Sequence, residues 1–389
     1  VKEIIRKLNI NTSSRGHEIH LAASTHRAAD VLQDIVRVAV TTAHSLFKLQ
    51  PSVSQYGKEI IKSSGRCKIA PNAIIIMDES SMLGNKFLQA INEIVQERHI
   101  KILFVGDPFQ LPPPTDTCSI FDGSLPTFTL TQVHRQADGN PILKKANEYR
   151  EYIEGTRQDE PTLITELNTK GEGIHVLPHA EFITKFVAKY VNYAPGQEVD
   201  IPLCTFTNES AINYNSMIRK ATYFLGDTIE PFYKGEQLIA NSAVIVDDRI
   251  LLNNNEVVTV QAFTDAEFEG IPGHNVTVKG DMMPHTRNNL KTVFVPISKH
   301  AADKVLNEHK KHAIKSKSKS EWVSFYNVKN ALADLRPPFA GTTHKAQGGT
   351  FPAVFIDRMN INKCKDAWTR ARLLYVALTR ASEHVYINA

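Results

Sequence analysis

Several protein classes are excluded by what the sequence has little of. Only four cysteines occur among 389 residues, and no two of them form a C-x-x-C pair, so neither a zinc site nor a disulfide framework is predicted. This cysteine usage favours a reduced, intracellular compartment, and we expect a cytoplasmic protein. No apolar stretch approaches the roughly 18 residues of a membrane span, so no membrane partner is expected.

A second absence concerns phosphate binding. The spacing G-x-x-x-x-G-K-[ST], which forms the phosphate loop of many nucleotide hydrolases, occurs nowhere in the chain. The chain opens on VKEIIRKLNI, without an initiator methionine or a signal-peptide pattern, and its apolar residues already fall at helical spacing. We therefore expect a fragment whose first residue lies inside an amphipathic helix.

The overall composition is that of an ordinary globular protein. Hydrophobic residues make up 42% of the chain and charged residues 22%, and 389 residues suffice for two or three domains with substantial cores. The net charge of +4 permits a nucleic-acid partner but does not by itself predict one.

The chain does contain a pair of acids at a predicted sheet edge. In AIIIMDESSML, residues 73–83, an unbroken apolar run indicates a strand that is covered on both faces. Asp78 and Glu79 follow at the carboxyl end of this strand. Ligands of open parallel sheets bind at that edge. The pair is therefore typical of the part of a nucleotide hydrolase site that holds Mg²⁺ and water.

Alternating strands and helices predict an α/β fold with parallel sheets. We expect one such domain over residues 1–138, with a small β-hairpin insertion at 50–72 and strands at 73–78 and 127–136. Residues 18–25 predict a strand that runs into a loop, and residues 100–114 a buried strand that ends in a Gly-Asp turn and a proline loop. A second α/β domain is expected over 139–255 and 336–389. Short β-rich segments at 256–335 predict a small barrel inserted into it. Within that region 308–322 is a lysine-rich, low-complexity segment. Its lysine run 310–319 is predicted to be a solvated loop, with non-specific attraction to DNA as the alternative.

Seven motifs in a fixed order carry a family resemblance. They are LAASTHRAADVL, TTAHSL, IIIMDESSML, ILFVGDPFQLPP, LTQVHRQ, GTTHKAQGGTF and LLYVALTRA. Together they resemble the superfamily one DNA helicases, and most closely the RecD/Dda type, which moves 5′ to 3′ along single-stranded DNA. The resemblance spans Leu21 to Ile387. It implies two RecA-like domains, a pin-like hairpin insertion and an SH3-like β-barrel insertion. It also implies a phosphate loop just upstream of Val1, and residues 1–389 without this loop would be inactive.

The resemblance assigns catalytic roles around ATP and Mg²⁺ between the two domains. Asp78 would hold Mg²⁺, and Glu79 would orient or deprotonate the attacking water. Gln110 would reach the γ-phosphate, and Asp107 would help to fix the loop that carries it.

Two arginines and one glycine complete the implied nucleotide site. Arg380 is the first candidate for an arginine finger and Arg135 the second, although either could form a structural ion pair instead. Gly348 would let the backbone approach the phosphates. Many relatives carry an acid just after this glycine that holds the ribose hydroxyls, whereas Thr350 stands here. The missing acid predicts that several nucleoside triphosphates are used.

Hydroxyl, imidazole and ammonium groups would line the DNA path. By resemblance these are Thr25, His26, Thr42 and His44 on the first domain and Thr343, His344 and Lys345 on the second, with Thr207 and Asn208 as further candidates. Each threonine is equally a candidate helix cap, and both roles are compatible because a helix N-terminus binds phosphate. Tyr56 in the 50–72 insertion could stack on a base or simply be exposed.

The sequence thus predicts an ATP-dependent 5′-to-3′ DNA helicase that acts on single-stranded and forked duplex DNA. We expect a role in DNA replication, repair or recombination, with proteins of those processes as further partners. Two alternatives remain open at this point. One is a catalytically inactive, single-stranded-DNA-binding remnant, and the other is a RecD-like subunit of a helicase–nuclease complex.

Overall fold

The structure is a computed structural model that describes residues 18–53, 59–63, 65, 67–113, 116–130, 139–191, 202–223, 230–247, 249–280 and 290–389. Three sequence predictions lie outside these residues, namely the N-terminal helix, the side chain of Tyr56 and the candidate finger Arg135. The described residues form two parallel-sheet lobes and one antiparallel unit. No helix among them is both long enough and apolar enough to cross a membrane.

The first lobe contains six strands and three helices. They are β1 (Ile19–Ala23), α1 (His26–Val36), β2 (Thr41–Thr42), α2 (Ala43–Leu46), β3 (Leu49–Val53), β4 (Glu59–Ser63), β5 (Ile74–Asp78), α3 (Asn85–Glu97) and β6 (Lys101–Phe104). Four of the strands form a parallel sheet in the order β2-β1-β5-β6. Strands β3 and β4 pair as an antiparallel hairpin within the segment where an insertion is expected.

Strand β5 is buried on both faces, as its apolar run predicts. Ile75 and Met77 pack against Phe87 of α3, whereas Ile76 packs on the opposite face against Leu32 of α1. The side chains of all three β5 residues are 0% exposed. Because neither face meets water, the strand shows no polar alternation. Its carboxyl end therefore brings Asp78 to the sheet edge, as predicted.

The strand predicted at 127–136 is wrong over its described part. Residues 126–130 have no regular secondary structure, and residues 131–138 lie outside the described part of the chain. Phe128 is 97% exposed and Leu130 is 87% exposed. Residues 127–130 thus have the β-branched and aromatic composition of a strand, but no described strand pairs with them and no described core covers them.

The second lobe is a six-stranded sheet with helices on it. Its elements are α4 (Pro141–Glu154), β7 (Glu166–Leu167), β8 (Gly173–Leu177), α5 (His179–Tyr190), β9 (Leu203–Thr205) and α6 (Asn208–Tyr223), which precede the antiparallel unit. After that unit come β17 (Ala340–Thr342), α9 (Thr343–Ala346), β18 (Phe351–Ile356), α10 (Arg358–Ile361), α11 (Ala367–Thr379) and β19 (Ala381–Asn388). The strand order is β17-β9-β18-β19-β8-β7, and only the edge strand β7 is antiparallel to its neighbour.

The antiparallel unit begins earlier than predicted. It comprises β10 (Gln237–Ala240), β11 (Val244–Val246), β12 (Arg249–Leu252), β13 (Val257–Phe268), β14 (Ile271–Gly280), β15 (Leu290–Pro296), α7 (Lys299–Ser316), α8 (Lys319–Ala331) and β16 (Leu335–Arg336). Its main sheet has the order β15-β14-β13-β10-β16. Strand β10 belongs to this sheet and not to the second lobe, so the boundary expected at 256 falls too late. The SH3-like barrel stays a prediction, because the end strands β15 and β16 are not paired with each other among the described residues.

The lysine-rich segment 308–322 is helical, which corrects the predicted loop. It covers the end of α7 and the start of α8. Ala302 and Ala313 of α7 and Trp322 and Phe325 of α8 are buried. Lysine and alanine are good helix formers, and the buried residues give each helix an apolar face.

Candidate functional site

The carboxyl edge of β5 holds the two predicted catalytic acids in a strained turn. Glu79 adopts a left-handed backbone with φ 49°, which is uncommon for a residue other than glycine and occurs where surrounding structure enforces it. Ser80 holds the turn, because its hydroxyl donates to the Met77 carbonyl at 2.7 Å and its backbone N–H donates to Val105 O at 2.9 Å. Gly106 lies so close that a Cβ there would be 3.1 Å from the Ser80 nitrogen. The turn after β5 is thus packed against the residues that follow β6.

Asp78 fits the demands of a Mg²⁺ site. Burial raises the pKa of its carboxyl, so a nearby cation would stabilise the ionised form. No cluster of three metal-ligating side chains occurs in the part of the chain that the structure describes. Mg²⁺ commonly uses only one or two carboxylates together with water and substrate phosphates. Asp78 would supply one such carboxylate, and its role as a Mg²⁺ ligand stays a prediction.

The loop after β6 is bonded to the second lobe. Asp107 accepts a hydrogen bond from the Tyr375 hydroxyl at 2.6 Å. Arg372 Nη1 donates to the carbonyl oxygens of Pro108 and Gln110, both at 2.6 Å. Leu111 is 0% exposed and packs into the core of the second lobe. Residues 107–111, which we call the junction loop, therefore connect the two lobes.

Gln110 lies buried at this junction, opposite the second lobe. Its side chain is within 3.5 Å of Gln347 Nε2, which also donates to Leu111 O at 3.2 Å. Gln347 Oε1 is buried and has no hydrogen-bond partner among the described residues. A buried amide oxygen without a donor is costly, so the two glutamines are suited to receive a polar ligand between the lobes.

Gly348 brings the second lobe against the first. Its φ is +80°, a conformation that side chains rarely adopt, and a Cβ there would stand 3.4 Å from Ala28 Cβ in α1. Arg27 of α1 stacks on the Phe351 ring, with Cζ 4.9 Å from the ring centroid. The lobes thus meet at a second place besides the junction loop. Sequence reasoning missed Arg27, because nothing in its local pattern distinguishes it from a solvated helix residue.

Arg380 is buried in the second lobe next to Gly349. Its side chain is 1% exposed, and it donates to Val376 O, Gly349 O and Thr379 Oγ1, each at 3.2 Å. These acceptors hold the guanidinium beside the Gly348 turn. Its predicted role as an arginine finger stays a prediction, as does that of Arg135.

Several threonines predicted to line the DNA path are helix caps. Thr25 accepts from Ala28 N, Thr42 from Ser45 N and Thr207 from Ser210 N, each at 3.2 Å. They therefore mark helix N-termini, where backbone N–H groups can bind phosphate. The position of Thr343 contradicts its predicted contact with DNA. Its side chain is 0% exposed and donates to Thr205 O at 3.1 Å, which leaves no surface for a nucleic-acid strand to contact.

Other predicted DNA residues from both lobes meet at one cavity of about 600 Å³. His26 lines it from the first lobe, and Asn208 and Lys345 line it from the second. Arg336 of β16 also lines it and donates to Asn208 Oδ1 at 2.9 Å. Sequence reasoning missed Arg336, because it lies outside the motifs, five residues before Gly341 of GTTHKAQGGTF.

Burial sets the charge of the cavity groups. It lowers the pKa of His26, although the nearby carboxylates of Asp30 and Glu256 oppose the shift. Burial, and next the charge of Arg336, lower the pKa of Lys345 to about 8. Lys345 Nζ donates to the Asn241 carbonyl at 2.9 Å. The cavity is lined by three basic side chains, Arg27, Arg336 and Lys345, and by two acidic ones, Asp30 and Glu256.

Two predicted histidines lie outside this cavity. Burial lowers the pKa of both His44 and His344. The His44 ring packs 4.9 Å from the ring of Phe87, centroid to centroid. Their predicted contact with DNA stays a prediction.

Comparison with known proteins matches both lobes. A family model described as an AAA domain matches residues 3–176, and a model described as a UvrD-like helicase C-terminal domain matches residues 338–388. The ATP-dependent DNA helicase dda of Enterobacteria phage T4 is 23% identical over 407 residues, which cover 96% of this chain and 88% of that protein. The ATP-dependent RecD2 DNA helicase of Deinococcus radiodurans is 32% identical over 136 residues, or 34% of this chain and 18% of that protein.

Among solved structures, a Pif1 helicase from Bacteroides in complex with ADP-AlF3 and ssDNA is 17% identical and covers 96% of this chain and 82% of its own, with a TM-score of 0.41. A structure of two Pif1 helicases at forked dsDNA has a TM-score of 0.46. These structural similarities are too weak to add to the sequence matches. Family models on both lobes and a relative aligned over nearly the whole chain nevertheless agree, and together they support a member of the Dda/RecD-like helicase superfamily.

Proposed function

We propose that the protein is an ATP-dependent DNA helicase that moves 5′ to 3′ along single-stranded DNA. The observation that carries this proposal is the junction loop. It follows β6 in the first lobe, carries Gln110, and is bonded to Arg372 and Tyr375 of the second lobe. Binding or hydrolysis of a nucleotide next to Gln110 would therefore change contacts in both lobes.

ATP binds between the lobes in this proposal. Phosphoryl transfer asks the protein mainly to position groups and to offset charge. Asp78 holds Mg²⁺, which when bound neutralises phosphate charge, and Glu79 orients or deprotonates the attacking water. Gln110 contacts the γ-phosphate, and the Gly348 turn approaches the phosphates from the second lobe. Arg380 and Arg135 are the proposed arginine fingers, and such a cation is worth roughly 10³–10⁵ in rate.

Single-stranded DNA binds where the two lobes share a cavity. Because His26 belongs to the first lobe and Lys345 to the second, a strand held there is gripped by both. Opening and closing of the lobes then moves one grip relative to the other. In this proposal the hairpin of β3 and β4 separates the strands as a pin. The antiparallel unit is the SH3-like domain.

Strand displacement tests the proposal directly. The product of the full reading frame that encodes these residues is mixed with Mg²⁺, ATP and duplexes carrying either a 5′ or a 3′ single-stranded tail. We expect displacement from the 5′-tailed duplex alone. Displacement from the 3′ tail alone would overturn the polarity. DNA binding without ATP hydrolysis by the same product would support the inactive remnant instead.

A further inference from the structure

The positive charge of the chain is concentrated on α7 and the turn into α8. Residues 299–319 contain seven lysines and only two acids, so this segment carries a net charge of +5. The whole chain has 45 basic and 41 acidic residues and a net charge of +4. The remaining residues therefore include 38 basic and 39 acidic ones, which nearly cancel. The mild basicity of the protein thus comes from one helix and its turn.

These lysines are exposed and form no ion pair with a described carboxylate, although Glu269, Glu308 and Glu321 line the surface depression that Lys304 shares. All seven side chains are exposed to solvent. Among the described residues, no carboxylate lies within 4.0 Å of any of their ammonium groups. An uncompensated cluster of like charges repels itself, and a bound polyanion would relieve that repulsion.

Three of the lysines lie on one side of α7, and two more follow in the turn into α8. Lys304, Lys311 and Lys315 are spaced by seven and four residues, which places them on one side of α7. The buried residues of α7, Ala302 and Ala313, lie on a different side. Lys304 and Lys315 are eleven residues apart, or about 16 Å along the helix axis. Lys317 caps the end of α7 and Lys319 begins α8, and we call these five residues the lysine surface.

The lysine surface lies away from the cavity between the lobes. Val257, at the start of β13, lines the cavity, whereas the turn Glu269–Gly270 after β13 shares a surface depression with Lys304. Strand β13 runs from Val257 to Phe268, which corresponds to a length on the order of 35 Å. Lys304 is therefore several nucleotides away from a strand bound in the cavity.

The chemistry of the surface fits a duplex better than a single strand. Single strands are usually held by base stacking on aromatic rings, but Trp322 and Phe325, next to the lysine surface, are buried. Lysines without aromatic partners recognise phosphate without reading bases. A duplex keeps its bases stacked inside and carries its phosphates along the outside of the helix.

We propose that the lysine surface binds the phosphate backbone of duplex DNA ahead of the single strand held between the lobes. This inference rests on the proposed function for its DNA partner. The exposed, uncompensated lysines along α7 give the helicase a second grip, on the DNA that has not yet been separated.

Charge-matched triple variants test the proposal. The variant K304Q/K311Q/K315Q removes three charges from the lysine surface, and K101Q/K170Q/K365Q removes three exposed lysines elsewhere. Glutamine has nearly the helix propensity of lysine, so α7 should keep its structure, which circular dichroism checks. Binding is measured at several salt concentrations on a 5′-tailed fork and on the single-stranded tail alone.

We expect the lysine-surface variant to bind the fork with a slope of log K against log salt that is smaller by about 2 to 3, because each lost phosphate contact removes roughly 0.9. Its binding to the single strand should match that of the unmutated protein, and the control variant should match it on both substrates. Equal losses for both variants, equal losses on both substrates, or no loss on the fork would each overturn the proposal. Failure of the unmutated protein to bind either DNA would instead count against the proposed function.

Discussion

The Tyr375 hydroxyl donates to Asp107 Oδ2 at 2.6 Å and thereby joins α11 of the second lobe to the junction loop of the first. Burial, and next the charge of Asp107, raise the pKa of Tyr375 above its usual range. The phenol therefore remains a hydrogen-bond donor at every pH at which the protein is assayed. The bond holds the loop that places Gln110 between the lobes.

Tyr375→Phe should lower kcat for ATP hydrolysis about tenfold while leaving KM for ATP nearly unchanged. The ring keeps its packing, but the loop that carries Gln110 loses one anchor, and a contact made mainly in the transition state affects kcat. Steady-state ATPase kinetics in the presence of single-stranded DNA measure both constants. Loss of one buried hydrogen bond should also lower the free energy of unfolding by about 1 kcal/mol. An unchanged kcat, or a rise in KM alone, would contradict the anchoring role.

Arg372 should be energetically coupled to Tyr375, because both side chains hold the junction loop. Arg372→Ala alone should lower kcat, and Arg372→Lys should recover part of the loss because an ammonium can still donate to the carbonyl oxygens of Pro108 and Gln110. In a double-mutant cycle, Arg372→Ala with Tyr375→Phe should cost less than the sum of the single changes, with a coupling of roughly 0.5–3 kcal/mol. Additive effects in the same ATPase assay would mean that the two residues act independently.

The local features of the first lobe could be predicted from the sequence. The run Ile74–Met77 has no polar residue, which is typical of a strand with two covered faces. The acids after it therefore had to lie at the sheet edge. Thr25 and Thr42 are followed by helical patterns, and both prove to be caps.

The contacts between lobes could not be predicted from local patterns. Arg372 and Gln110 are 262 residues apart, and their contact depends on how two separate sheets meet. The hydrogen bond from Arg380 to Gly349 O likewise joins residues that are 31 positions apart in the chain. A sequence pattern identifies a cation but not its partners, so its catalytic role rests on resemblance and stays a prediction.

The composition of residues 308–322 did not predict the two helices of the antiparallel unit. Repeated lysine and serine between 308 and 322 are typical of a solvated loop. The apolar residues that give α7 and α8 their buried faces lie partly outside that window, at Ala302, Phe325 and Val328. A longer window would have included them.

Glu79→Gln should leave nucleotide binding intact and lower turnover at least a hundredfold. Glutamine keeps the size of the side chain but cannot accept the proton of the attacking water. The left-handed backbone with φ 49° costs glutamine as much conformational free energy as it costs glutamate. The melting temperature of the protein should therefore stay the same. Nucleotide binding is measured by calorimetry, and turnover by phosphate release.

Glu79→Asn is the matched control for this backbone. Asparagine tolerates the left-handed conformation better than glutamine does, so this variant should be at least as stable as the native protein and equally inactive. If Glu79→Gln hydrolyses ATP at the native rate, the acid has no role in activating water. If only the glutamine variant is inactive, the defect lies in the backbone.

Lys345 should make the binding of single-stranded DNA sensitive to pH. Its pKa of about 8 means that the ammonium is charged at pH 7 and increasingly neutral above pH 8. Affinity should therefore fall as the pH rises from 8 to 9.5, and the slope of log K against log salt should shrink by about 0.7 as one phosphate contact is lost. Lys345→Arg keeps its charge throughout this range, so its affinity should stay level. A decline of the same size in the arginine variant, followed by fluorescence anisotropy, would assign the pH dependence to another group and remove Lys345 from the DNA path.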